Sequence, residues 1–243
     1  MWIITQKEQE KYLNEVKGFV GKNNKAFLCS RLYSSVIGMP PAIQALNFYA
    51  EIMKDTDIYN KIDAFLALDN LGHPSKMKMK DGKWASCNAT RYLDSIRLLK
   101  KHFGSLDNMN IKEIGVGFGG LLHCIKTMWK PNAYHIVDFV EVLNFVRQNA
   151  SCLNHTVQIN NIVNNDLSIA EYSITEHTED TLFELTDKHL MTANNIFVRC
   201  NILDNDLKTK WLNHLKTRFN ITVEKELTDA VKMNCIVIGK LKV

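Results

Sequence analysis

No run of about 18 apolar residues, the length a membrane-spanning helix needs, occurs in this chain. Its first residues, "MWIITQKEQEKYLNEV", turn charged almost at once, so neither a signal peptide nor a membrane anchor is expected there. C-x-x-C spacing is missing too. Cys29, Cys87, Cys124, Cys152, Cys200 and Cys235 stand far apart, as free core thiols in a reducing compartment would. Triplets of the N-x-[ST] type, such as Asn88-Ala-Thr90, carry little meaning in an Asn-rich chain without a secretory signal. Internal repeats and low-complexity tracts are also lacking. With 46% hydrophobic and 23% charged residues among 243, the expectation is one compact, soluble, cytoplasmic protein with no membrane partner.

Charge of one sign is scarce. The 30 basic and 26 acidic residues leave a net charge of +4 spread along the whole chain, too even to imply a nucleic-acid partner. The densest basic stretch, "SKMKMKDGK" at 75–83, alternates Lys with Met and lacks the aromatic rings on which single-stranded bases stack, so it is expected to be a solvated strand or loop. Compact acidic clusters are equally few. Glu179-Asp180, with Asp187 beyond, has the spacing of a solvated helix face, so no metal is expected and the chemistry should be metal-independent.

What the chain does contain falls into two textures. Up to about residue 104 it is helical in pattern: "KEQEKYLNEVKGFV" aligns Tyr12, Leu13, Val16 and Val20, "PPAIQALNFYAEIMK" aligns Ile43, Leu46, Tyr49 and Met53, and "DIYNKIDAFLAL" offers a third helix. "DNLGHPSKMKMKDGKW" is a loop with room for a hairpin, and "NATRYLDSIRLLKKHFG" is a helix with Asn88 as candidate cap and Gly104 as its stop. From residue 111 strands alternate with helices. The expected strands are "IKEIGV", "AYHIVD", "TVQINNIV", "LSIAEYS", "NNIFVRC", "ITVEKEL" and "NCIVIGKLKV". Such alternation implies an α/β fold with a mostly parallel sheet. The last two strands lack an intervening helix, so the final one should insert antiparallel, at the edge or between its predecessors.

Glycines concentrate at "IKEIGVGFGG", 111–120. Gly115, Gly117 and Gly120 satisfy G-x-G-x-x-G between a strand and a helix, and Asp138 closes the next strand about 20 residues on. Glycines allow close backbone approach to a ligand, and an acid at the second strand end accepts hydrogen bonds from ribose hydroxyls. These features alone fit an NAD-dependent oxidoreductase. Three others favour S-adenosylmethionine: Glu113 two residues before the loop, where a carboxylate attracts a cationic ligand; a helical preface of about 110 residues; and the closing strand pair.

An ordered series of blocks also resembles the sugar O-methyltransferase family, a branch of the class I S-adenosylmethionine-dependent methyltransferases. They are "LGHP" at 71–74, "SCNATRY" at 86–92, "FGSLDN" at 103–108, "KEIGVGFGGL" at 112–121, "YHIVDFVEVL" at 134–143, "DLSIAEYSITE" at 166–176 and "NCIVIGKL" at 234–241. The chain departs from the family at Val116, Phe118 and Val140, and more seriously at Ala170-Glu171, where Ser-Asn is usual, and at His73, where Asn is usual.

The resemblance implies a Rossmann-like class I methyltransferase fold with a seven-stranded, mostly parallel sheet and an antiparallel last strand. Residues 106–243 would form the S-adenosylmethionine-binding domain, and 1–105 an N-terminal helical lid contributing to the acceptor and cofactor site. It implies that Gly115, Gly117 and Gly119 line the methionine part of the cofactor with Glu113 behind and Phe118 in the same loop, that Asp138 takes the ribose hydroxyls, and that Phe139 stacks near the adenine. Arg91 and Tyr92 would reach in from the preceding helix, Arg91 toward the cofactor carboxylate.

Methyl transfer to a sugar hydroxyl benefits from a general base. The candidates are His73, Glu171 and Glu176, with His177 beside them; Glu171 to His177 should fall at the carboxyl end of a parallel strand, and Glu176 matches the family's acidic position. The expected partner is a sugar or glycan acceptor, a deoxyhexose such as rhamnose being one choice. Domains of this kind are also fused to glycosyltransferases, including in large viruses, where the host cytoplasm would be the working compartment. The alternatives are the NAD-dependent oxidoreductase, a methyltransferase for a non-sugar small molecule, and an adenosine-binding domain without catalysis.

Overall fold

The computed structural model describes residues 6–21, 26–38, 40–157, 165–202, 204–227 and 234–242. Helix α1, Gln6–Phe19, turns Tyr12, Val16 and Phe19 inward. Helix α2, Arg31–Ile37, escapes the periodicity analysis because it is only 7 residues long. Its ends are nevertheless written in the sequence, since the Ser30 hydroxyl accepts the Tyr33 N–H at 3.1 Å and Gly38, at φ 61°, closes it. Helix α3, Ala42–Ile52, presents a different stripe from the expected one: Ala45, Phe48, Tyr49 and Ile52 are buried, while Ile43 and Leu46 are 62% and 39% exposed. Two apolar stripes compete on this helix, and the one carrying two aromatic rings removes more apolar surface from water.

The single helix expected over 57–68 divides into α4, Thr56–Tyr59, and α5, Ile62–Leu66, at a tight turn in which the Lys61 N–H bonds to the Ile58 carbonyl at 3.0 Å. Strands β1, Lys76–Lys78, and β2, Trp84–Ser86, form an antiparallel hairpin that leaves Lys76, Lys78 and Lys80 in solvent. Helix α6, Cys87–Phe103, is capped by Ser86 rather than Asn88. The Ser86 hydroxyl accepts the Ala89 N–H at 3.1 Å and donates to the Asp69 carboxylate at 2.6 Å.

Then follow β3, Asn110–Ile114; α7, Gly120–Met128; β4, Ala133–Val137; α8, Val140–Cys152; β5, Asn165–Glu171; α9, Glu179–Leu185; β6, Ala193–Cys200; α10, Asn205–Leu215; β7, Phe219–Lys225; and β8, Cys235–Leu241. The central sheet has the order β4-β3-β5-β6-β8-β7. Strands β4, β3, β5 and β6 run parallel, and β8 lies antiparallel between β6 and β7. The insertion expected of the last strand is therefore observed between its predecessors. Seven strands were expected, and the sheet has 6 among the described residues. The missing one is "TVQINNIV", which from residue 158 onward lies outside the described residues, and whose Thr156 and Val157 are not in a strand.

Alternation along the strands separates two cores. Ile111, Leu167, Ile169 and Phe197 join residues of α6, α7 and α8 on one face, and Ile114, Ala170, Ile196 and Val198 join residues of α9 and α10 on the other. The result is a Rossmann-like α/β fold in which the carboxyl ends of β3, β4, β5 and β6 converge. Among the described residues no helix is long and apolar enough to cross a membrane.

Candidate functional site

Strand β3 runs straight into the glycine loop. Gly115 takes φ 74° and donates its N–H to the Val137 carbonyl at 2.9 Å, tying the loop to the end of β4. A side chain there has no room, because its Cβ would sit 2.0 Å from the Cβ of Ser173. The Ser173 hydroxyl in turn donates to the Ile114 carbonyl, so loop and β5 end are locked together. Gly120 opens α7 under the Tyr92 ring, where a Cβ would meet Cε2 at 2.1 Å. Asp138 closes the other side. Its carboxylate accepts the Val116 N–H at 2.9 Å and the Phe139 N–H at 2.8 Å, and burial pushes its pKa up to about 6. Beside it Phe139 is 44% exposed.

Glu113, expected behind the glycines as a carboxylate for a cationic ligand, lies near the end of β3 facing Tyr134. It is 3% exposed and accepts the Tyr134 hydroxyl at 2.7 Å. Burial pushes its carboxyl well above the usual carboxylate range, and the charges of Glu171 and Asp138 add to the effect despite the Tyr134 bond. Phe118 and Tyr92 also differ from expectation. Both rings are buried, 5.9 Å apart, and Phe118 packs on Phe27 at 5.5 Å, so this part of the loop faces the core beneath the N-terminal segment. Gly117 is half-buried in the loop and Gly119, buried, caps the start of α7, with φ 55° and 91° respectively.

Arg91 is buried and lies between α2 and β5. Its Nη1 donates to the Gly38 and Ile37 carbonyls at 2.9 and 3.3 Å, its Nη2 to the Tyr92 hydroxyl at 3.3 Å, and its Nε stands 3.8 Å from Glu171 Oε2. Neither Arg91 Nε nor Glu171 Oε2 has a hydrogen-bond partner, although both are buried. The two atoms therefore face each other as a buried ion pair that no hydrogen bond completes.

Sequence inspection missed the group that holds Glu171. Arg199, fully buried and directly opposite Glu171 in the β5–β6 register, donates to Asp94 at 2.7 Å, Ser95 at 3.0 Å and Glu226 at 2.6 Å, and lies 3.4 Å from Glu171 Oε1. Ser95 also donates to Glu171, and Tyr172 to Glu226. Burial opposes the Arg199 charge, but Asp94, Tyr172, Glu171 and Glu226 more than restore it. The available signal was a charged residue at the end of the apolar run "NNIFVRC".

Glu176 stands apart from this cluster, in a one-turn 3-10 segment, Ser173–Glu176, that follows β5. It accepts the Asn201 side-chain N–H at 3.0 Å, and burial raises its pKa against the opposing effects of Asn201 and Arg91. Burial lowers the pKa of neighbouring His177. His73 is not brought to this group. It is exposed, at φ 49°, its carbonyl accepts from Cys29 Sγ at 3.2 Å, and it lines a depression with Asp69, Asn70, Pro74 and Lys76. Glu179 pairs with Lys210 at 3.1 Å, consistent with a solvated face.

No family model and no curated protein matches the chain. Solved structures do resemble it. A magnesium protoporphyrin IX methyltransferase from Synechocystis, with bound S-adenosylmethionine, is 12% identical, with a TM-score of 0.52 over 64% of this chain and 80% of that one. An S-adenosylmethionine-dependent methyltransferase from Clostridium acetobutylicum is 11% identical, with a TM-score of 0.50 over 61% of this chain and 89% of that one. The chain is therefore similar in fold to S-adenosylmethionine-dependent methyltransferases.

Proposed function

We propose that the protein is an S-adenosylmethionine-dependent methyltransferase and that its acceptor is a hydroxyl of a sugar. The observation that carries the cofactor reading is Asp138, an acid at the end of β4 fastened to the Val116 N–H of a glycine loop, in a sheet whose last strand is antiparallel. When bound, S-adenosylmethionine supplies a methyl group already activated on a sulfonium. Asp138 would accept the ribose hydroxyls, and Phe139 offers an exposed ring beside it. The carboxylate of an α-amino acid head group would compete for the Arg91 guanidinium, whose Nε is ion-paired to Glu171 without a hydrogen bond. Burial raises the Glu113 carboxyl well above the usual carboxylate range, and a cationic ligand nearby would oppose that shift.

Glu171 is already shared between Arg91 and Arg199, so its part is to hold them. We assign the proton acceptor to Glu176. Its raised pKa brings it closer to the working pH, and Asn201 fixes its carboxylate at the strand ends. His73, away from these groups, is left to line its own depression. The sugar acceptor is supported by the ordered sequence blocks from "LGHP" to "NCIVIGKL" and by the polar rim of Glu176, His177 and Asn201.

Calorimetry with S-adenosylhomocysteine and, separately, NADH tests the cofactor. Binding of the first and not the second is expected; the reverse overturns the reading. Incubation with labelled S-adenosylmethionine and a panel of glycosides, read by mass, tests the acceptor. A gain of one methyl group on a glycoside is expected, and methylation confined to non-sugar compounds removes the sugar assignment.

A further inference from the structure

The cofactor reading leaves one arrangement unexplained: Arg91 spends its Nη1 on the chain itself. Its bonds to Gly38 at 2.9 Å and Ile37 at 3.3 Å reach the last carbonyls of α2, which have no helical partner and carry the negative end of the helix dipole. Two carbonyl oxygens presented to one guanidinium nitrogen are a close mimic of a carboxylate. The same segment covers the glycine loop, with Ile37 Cγ2 lying 3.8 Å from where a Gly117 side chain would begin. Upstream in the N-terminal helices, the buried hydroxyls of Tyr12 and Tyr33 feel the charge of Asp138. Thus the carboxyl end of α2 meets two parts of the candidate cofactor site, Arg91 and the glycine loop.

We infer that the carboxyl end of α2, Ile37–Gly38, is an internal stand-in for the cofactor's carboxylate, holding Arg91 until a ligand's carboxylate takes its place. The inference rests on the cofactor reading and adds a gate to it. Gly38, at φ 61°, sits where such a segment would pivot, and α2, with 7 residues, is too short to hold itself together once its contacts are broken. A ligand shifts this equilibrium only through what it binds in the open state and not in the closed one. The amino-carboxylate is that difference.

Hydrogen exchange of the Arg31–Gly38 amides, on the full chain, gives the test. With S-adenosylhomocysteine these amides should exchange faster, although ligand binding ordinarily slows exchange. With 5′-methylthioadenosine, which has the nucleoside thioether but no amino-carboxylate, they should be unchanged. Ile37→Ala, which removes the side chain over Gly117 and leaves Arg91 and Asp138 intact, should raise the association rate of S-adenosylhomocysteine by about fivefold or more, since more of the protein is open beforehand. If S-adenosylhomocysteine binds while α2 exchange is unchanged or slower, the gate is wrong and the cofactor reading stands. If it binds neither the native chain nor Ile37→Ala, the cofactor reading falls and takes the gate with it. Binding to Ile37→Ala alone supports the gate.

Discussion

Replacing Gly115 by Ala isolates the joint between the glycine loop and β5. The added methyl group meets two separate obstacles. At φ 74° an L-residue costs about 1–2 kcal/mol from its own backbone sterics. The Cβ would also sit 2.0 Å from Ser173 Cβ and 2.5 Å from its Oγ, and because that hydroxyl is bonded to Ile114 the turn must shift, an overpacking cost of about 1–3 kcal/mol. The sum, about 2–5 kcal/mol, corresponds to a fall in Tm of about 4–20 °C for a domain of this size. Urea denaturation of Gly115→Ala, Ser173→Gly and the double variant separates the two parts. Measured against Ser173→Gly, the loss from the alanine should shrink to the backbone part, about 1–2 kcal/mol. S-adenosylhomocysteine binding should be weakened in the single variant, because the loop it displaces also carries the Val116 N–H held by Asp138. A Gly115→Ala chain within about 0.5 kcal/mol of the native protein, or an alanine cost that Ser173→Gly leaves unchanged, would refute the reasoning.

Arg199→Met should cost about 3–5 kcal/mol in urea denaturation, because Asp94, Glu171 and Glu226 are left as buried acids with one cation fewer, and Arg199→Lys should recover part of it by keeping the charge without the fork. S-adenosylhomocysteine affinity should rise with pH and level off above about 6, where Asp138 of the free protein ionises, since ribose hydroxyls favour the charged acceptor; below that value the loss is at most about tenfold per pH unit, and calorimetry on Asp138→Asn should show weak binding without this dependence. Glu176→Gln should lower kcat by about 10²–10⁴-fold in the glycoside assay while leaving S-adenosylhomocysteine affinity within about threefold, and an unchanged kcat would remove Glu176 as the proton acceptor.

The parts of this protein that were legible in its sequence are the local ones. The glycine loop, Asp138 and the antiparallel last strand each depend on residues within about 25 positions, where turn chemistry and strand periodicity carry the information. Helix α2 was missed for its length, although Ser30 and Gly38 mark both ends. The face of α3 was misjudged because a lone amphipathic helix does not say which of two apolar stripes meets the core; Phe48 is buried with the Arg199 guanidinium 5.6 Å from its ring, a neighbour 151 positions away. Phe118 sits in the loop by number and in the core by contact, and only the packing of Phe27 and Tyr92 decides which.

The same distance in sequence explains the residue that looked most anomalous. Glu171 stands where the resembled family has an uncharged amide, and in isolation an unusual acid at a strand end suggests a base. Its surroundings give it another purpose. Arg199 reaches Asp94 across 105 positions, and α6 brings the buried Arg91 and the partly exposed Arg97 to the same cluster of acids. Glu171 stands within 4 Å of both buried guanidinium groups, 3.8 Å from Arg91 Nε and 3.4 Å from Arg199 Nε, so its charge offsets both. An amide there would leave an uncompensated guanidinium in a region of low dielectric, which costs several kcal/mol. The acid is therefore demanded by the arginines, and through them it fixes Arg91 where both α2 and the proposed cofactor compete for it.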